Sequence, residues 1–182
     1  MKRLKDNLWL WGQTPGSHHK EGHYKLPGEN HMTPAEGCDF FGIPNCCRVV
    51  MASSPRPPFD NESRQMAHLN QVVWSIIGSG GSTCNNTESG DLSEVIRQAK
   101  MFPNVTGAVL DDFLNPVRME LFPPEKVTDL RSRLKTETGR DLDLWVVWYE
   151  HQLDAPVKPF LDVCDVITFW TWYGYNLPKL EE

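Results

Sequence analysis

Six short runs of apolar, β-branched and aromatic residues constrain this chain more than any other feature. They are Leu8–Trp11, Cys46–Met51, Val72–Ile77, Val105–Leu110, Leu142–Tyr149 and Val166–Trp172. Each is nearly continuous in apolar character and bounded by Gly, Pro, Asn or Asp. A strand with one wet face alternates apolar and polar residues. A continuous run suits a strand covered on both faces, as in a parallel sheet. Helix signals lie between the runs. Thr33-Pro34-Ala35-Glu36 carries a capping box with proline at the first helical position. Asp91 opens a segment in which Leu92, Val95, Ile96 and Ala99 share one helical face. From Pro124 onward Val127, Leu130 and Leu134 do the same, and Gly139 is placed to end that helix. Asn61–Leu69 gives a weaker helix signal, and Pro159–Val163 a short turn at most.

Strand and helix thus alternate to a sixth strand, as right-handed βα crossovers require. Two architectures accommodate this order. One is a (β/α)8 TIM barrel, which needs about 250 residues. A chain of 182 residues would then be a single β/α-barrel domain over 1–182, truncated after strand six and lacking the last two βα units. The other is an open six-stranded doubly wound parallel sheet. Residues suited to chemistry follow strands one, three, four, five and six, which fits a ring of loops better than one crevice at a switch point. The segment 176–182 resembles the first turn of a helix following strand six. An unclosed sheet would expose two parallel edges and apolar surface, so self-association is expected.

The net charge is −6 and the pI about 5.5, which argues against a nucleic-acid footprint or a polybasic membrane patch. No apolar run approaches the about 18–20 residues of a membrane span. The basic opening Met1-Lys2-Arg3 has no apolar stretch of signal-peptide length behind it, so a cytoplasmic location is expected. The five cysteines, Cys38, Cys46, Cys47, Cys84 and Cys164, are odd in number and form no CxxC; they suit reduced thiols. The sequons at Asn61, Asn85 and Asn104 are then chance matches.

Strand four ends in Asp111-Asp112, two carboxylates directly after a buried run. Side chains alternate along a strand, so one should point into the barrel mouth and the other toward the helix layer, without the period saying which. One of them is a candidate catalytic group, with its neighbour as charge-coupled partner; the plainer reading is a helix cap and a salt bridge. Strand five delivers Glu150 and His151 to the same end. Glu150 is a candidate acid or base raised by its aromatic surroundings, against the plainer reading of a surface Glu and a hydrogen-bonded His. Trp11, Trp74, Trp170, Trp172 and Tyr173 lie near strand ends. Seven Trp in all is a high count. Indole faces stack on sugar C–H faces and their N–H donates a hydrogen bond, although an aromatic stripe more often fills a core. Gln13 stands at the first strand end and could touch substrate. The loop holding His18, His19, His23 and His31 with Glu21 and Glu29 matches no metal-ligand spacing, so a polar lid is the reading and no metal site is assigned. Gly78-Ser79-Gly80-Gly81-Ser82 lacks a phosphate-loop pattern and suits a flexible βα loop. No cofactor is expected.

The runs at 74–78, 107–113, 144–153 and 166–172 together resemble a bacterial family of TIM-barrel proteins similar to glycoside hydrolases. The resemblance implies a carbohydrate substrate and hydrolysis through strand-end carboxylates. Asp111, Asp112 and Glu150 would be the catalytic candidates, and Trp11, Gln13, Trp74, His151, Trp170, Trp172 and Tyr173 the substrate contacts. In many retaining barrel glycosidases a second carboxylate follows a later strand, often the seventh, which these residues do not reach. The alternatives are a metal-dependent hydrolase using the loop histidines and a non-catalytic sugar-binding or scaffold barrel.

Overall fold

A computed structural model describes residues 3–17, 28–79, 82, 85 and 89–181. Six strands form one sheet: β1 Trp9–Gly12, β2 Asn45–Arg48, β3 Gln71–Ile77, β4 Val105–Leu110, β5 Asp143–Tyr149 and β6 Val166–Trp170. Their spatial order is their chain order, and every neighbouring pair is parallel. The helices between them are α1 Pro34–Phe41, α2 Asp60–Gln65, α3 Leu92–Met101, α4 Pro116–Leu121, α5 Pro124–Thr138 and α6 Lys158–Leu161. Sequential order leaves no point at which the winding reverses, so the sheet is open but not doubly wound.

The two sheet faces bury different things. Cys46, Val72, Trp74, Ile76, Ala108, Leu110, Leu144 and Val146 pack outward with Leu92, Val95, Ile96, Val127, Leu130 and Leu134 of α3 and α5. The inward register carries Cys47, Val49, Val73, Val109 and Val147, with Trp9, Trp11, Trp145, Tyr149 and Trp170 against them and no helix residue. The inward rings meet across the concavity. Trp9 of β1 lies 4.7 Å, centroid to centroid, from Trp145 of β5, and Trp11 lies 4.9 Å from Trp170 of β6. First and last strands can share ring contacts only if the sheet curls. The result is an open, curled half-barrel.

The expected helix signals act as read. Thr33 Oγ1 accepts the Glu36 N–H, and Glu36 returns a carboxylate to the Thr33 N–H. Gly139 ends α5 in the left-handed conformation at φ 66°. Helix α4 was not expected, although Asn115 caps it through Arg118 N–H and Pro116 opens it. A 3-10 segment spans Gly174–Glu181 after β6. No helix among the described residues is long and apolar enough to cross a membrane.

Candidate functional site

At the C-terminal end of the strands the concavity opens into a cleft of about 260 Å³. Trp11, Gln13, Met51, Ser79, Asp111, Asp112, Tyr149, Trp170 and Trp172 line it. Strand alternation supplies most of this set. Trp11 follows Trp9, Tyr149 follows Val147, Trp170 ends β6, and Asp111 continues the inward register of Val109.

Both aspartates reach the cleft, where one was expected to turn away. Asp111 is only 3% exposed. Its charge, after burial itself, helps hold the neighbouring Cys47 thiol well above its ordinary range. Asp112 leaves the strand with φ 46°, a left-handed conformation unusual outside glycine. That turn cancels the alternation, and Asp112 Oδ1 accepts a 2.6 Å hydrogen bond from the Tyr149 hydroxyl. Asn115 Nδ2 donates to the Asp112 carbonyl at 2.7 Å and helps hold the turn.

Beneath the pair lies Arg118, 4% exposed. Its guanidinium donates to the carbonyls of Gly78 and Asp111 at 2.6 Å and of Ser79 at 3.0 Å. Burial pushes its proton affinity down, and the charges of Asp112 and Asp111 pull it back. Arg118 therefore ties the ends of β3 and β4 together and places a cation behind the carboxylates. The Gly-rich loop takes part through its carbonyls. The N–H groups of Gly78, Ser79 and Ser82 are already given to Asn85 Oδ1, the Val50 carbonyl and the Ser79 carbonyl, which weakens the phosphate reading.

Glu150 does not line the cleft. The chain turns into a 3-10 segment, Glu150–Gln152, as β5 ends. One Glu150 oxygen accepts from Thr171 Oγ1 and the other from Asn176 Nδ2, both at 2.6 Å. These contacts bracket Trp172, which stacks parallel to Tyr149 with centroids 6.1 Å apart. His151 is exposed and stacks on Tyr149. Tyr173, also exposed, stacks on Tyr175 outside the cleft lining.

Trp74 corrects the sequence reading outright. It sits on the outward register, fully buried and stacked on Phe59 at 4.3 Å with Arg48 over its ring. No face is left for a ligand. Tyr149, Met51 and Ser79 were not singled out in the sequence. Tyr149 was legible as the third inward position after Trp145 and Val147, while Met51 and Ser79 come from loops whose course the sequence does not give. His18, His19 and His23 lie outside the described residues, as do Cys84, Gly80 and Gly81, and His31 is exposed. Among the described residues no three His, Cys, Asp or Glu gather as metal ligands. Asn85, one of the sequon residues, is buried and bonded to Gly78 N–H and the Ile76 carbonyl. Compared with known protein families, with curated proteins and with solved structures, the chain finds no match.

Proposed function

We propose that this cleft binds a carbohydrate and that Asp111 and Asp112 carry glycosidic-bond hydrolysis, with the half-barrel supplying six units of a TIM-barrel design. One observation carries the reading: two strand-end carboxylates open into the same cleft as four aromatic rings. Rings offer platforms for sugar C–H faces, and Gln13 and Ser79 offer hydrogen bonds to hydroxyls. Carboxylates at the C-terminal end of parallel strands occupy the end where barrel enzymes do chemistry. The ring contact between β1 and β5 supports the eight-unit design, because opposite strands of such a barrel stand four apart. Asp111, the more buried of the two, suits the acid–base group. Asp112, held by Tyr149, suits the second carboxylate of the pair.

Glu150 is assigned a different part from the one its sequence position suggested. Spent on Thr171 and Asn176, it positions Trp172. The same observation favours a second reading, a sugar-binding cleft without turnover, because the further strand-end carboxylate that could have joined the aspartates is engaged elsewhere.

Oligosaccharides of defined linkage should quench the tryptophan fluorescence of the full chain on binding. Turnover should fall by at least about a hundredfold in Asp111→Asn and in Asp112→Asn, as loss of acid–base catalysis does. Binding that survives both substitutions beside undiminished turnover would place the chemistry elsewhere. Binding with no turnover in the unsubstituted chain would select the second reading.

A further inference from the structure

Two buried arginines stand under the strand ends. Arg118 ties β3 to β4. Arg48, the last residue of β2, is fully buried and does the same for β1 and β2. Its guanidinium donates to the Val49 carbonyl at 2.7 Å, to the Gly12 carbonyl at 3.4 Å and to Thr14 Oγ1 at 2.9 Å. Glu62 of α2 accepts from its Nε at 3.0 Å, and its Cζ lies over the Trp74 ring. A planar guanidinium held on those two sides presents its remaining N–H groups in a fixed direction. Here that direction is the start of the segment following β1.

The contacts continue to the cleft. Thr14 Oγ1 shares a hydrogen bond with Ser54 Oγ at 3.1 Å. Thr14 directly follows Gln13. Ser54 closes a turn on Met51: the Met51 N–H donates to the Ser54 carbonyl at 2.9 Å, and the Ser54 N–H to the Met51 carbonyl at 3.0 Å. Gln13 and Met51 both line the cleft. The turn between them is strained. Ala52 at φ 50° and Ser53 at φ 56° are left-handed, at positions where such a two-residue turn favours glycine and asparagine. Strain of this kind persists where the surroundings fix it, and the Thr14–Ser54 contact is one such fixing.

We propose that Thr14 and Ser54 form a clasp, set by Arg48, that holds the Gln13 and Met51 rim of the cleft in its ligand-binding position. Arg48, Thr14 and Ser54 are positioning residues; none is among the described lining residues. The aspartates are held from the other side, where Arg118 donates to the Asp111 carbonyl and Asn115 to the Asp112 carbonyl. The clasp therefore governs affinity and not the chemical step. Its part in affinity rests on the carbohydrate reading above; its part in holding the rim does not.

The test cuts the clasp beyond Arg48, because truncating Arg48 also leaves Glu62 without its partner and disturbs the fold as a whole. Thr14→Val and Ser54→Ala each remove one hydroxyl, and Thr14→Ser keeps it. Hydrogen exchange on the full chain needs no ligand. The Met51 amide should exchange about threefold to tenfold faster in Thr14→Val and in Ser54→Ala, as loss of one neutral hydrogen bond allows. The Asp111 amide, bonded to the Ile77 carbonyl, should not change. Titration with cellotetraose, xylotetraose, mannotetraose and maltotetraose, read by tryptophan fluorescence, supplies the second readout. Whichever sugar binds the parent should bind each variant about threefold to tenfold more weakly. The double variant should be no weaker than either single one, because both hydroxyls belong to one link. Where the sugar is turned over, KM should carry the loss and kcat stay within about twofold. Thr14→Ser should match the parent throughout. Unchanged Met51 exchange in both variants overturns the clasp. Faster exchange with unchanged affinity, losses that add in the double variant, or losses that fall on kcat overturn its part in binding and leave the carbohydrate reading standing. If no sugar binds the parent, the carbohydrate reading falls and exchange alone decides the clasp.

Discussion

The two ends of the sheet hold carboxylates in opposite ways. At the N-terminal end Asp165, just before β6, is enclosed by its partners. Arg131 donates to it from α5, Lys135 reaches it at 3.2 Å, and the Leu144 N–H donates at 2.9 Å. Burial pushes its carboxyl up, but Arg131, Leu144 and Lys135 outweigh that and bring it down to about 2. Arg140 works at the same end, capping the carbonyls of Ala99, Pro103 and Val105. At the C-terminal end Asp111 and Asp112 face a cleft, Arg118 donates to the Asp111 carbonyl, and Asp112 sits in an unusual conformation. Partners satisfy a charge where the fold is being held. At the C-terminal end the carboxylates border a cavity instead.

The largest difference should appear on neutralising each end. Asp165→Asn leaves Arg131 and Lys135 without their shared anion and should lose about 2–3 kcal/mol in urea denaturation. Asp111→Asn relieves a buried charge and should stay within about 1 kcal/mol of the parent, or exceed it. Equal losses would erase the distinction between the ends.

Tyr149→Phe comes next. It removes a hydrogen bond to a carboxylate and should cost about 1.5 kcal/mol of stability. Ligand affinity should fall as well, because Asp112 is then held less firmly. A variant with native stability and native binding would show that Asp112 needs no anchor.

The pH dependence should separate the ends by sign, with a smaller amplitude because solvent screens partly exposed charges. Asp165 titrates below its ordinary 3.8 in the folded chain. Its stabilisation is therefore complete above about pH 4 and lost as the pH falls toward 2. Asp91, which precedes α3 beyond the C-terminal end of β3, is pushed by burial up to about 6. Its contribution is complete below about pH 4 and lost as the pH rises through 6. Asp165→Asn should flatten the acid arm of the stability curve, and Asp91→Asn the arm between about 4 and 6. Thermal unfolding from about pH 2 to 7 reads both, and arms unmoved by either variant would refute the assignment.

The smallest effect belongs to Glu150→Gln. It keeps the shape and weakens two hydrogen bonds, so stability should move by under about 1 kcal/mol. Ligand affinity should fall a few-fold as Trp172 loosens. Loss of turnover as complete as in the aspartate variants would return Glu150 to the chemistry.

Local pattern carried much of this. The run Val105–Leu110 coincides with β4, and the other five overlap their strands within a few residues at each end. The inward faces of α3 and α5 bury the residues their periodicity names. Helix α4 escaped because six residues between two prolines are too few to show a period. At the site, Trp11, Gln13, Asp111, Asp112, Trp170 and Trp172 were legible because strand ends of a parallel sheet converge. Trp74 and Glu150 were misplaced by rules that are local. A strand end near an aromatic does not say which sheet face it occupies, and the alternation that would have told lapses where the backbone turns.

The sequence by itself determined six parallel strands, the helices other than α4, and the end of the sheet at which Asp111, Asp112 and the aromatic rings collect. These follow from apolar period, caps and proline or glycine stops, all short-range. Only the tertiary structure decided the curl that brings Trp11 to Trp170, the left-handed turn that aims Asp112 at Tyr149, and the commitment of Glu150 to Thr171 and Asn176. Each depends on contacts between residues distant in the chain, where register and closure, not composition, decide which side chains meet.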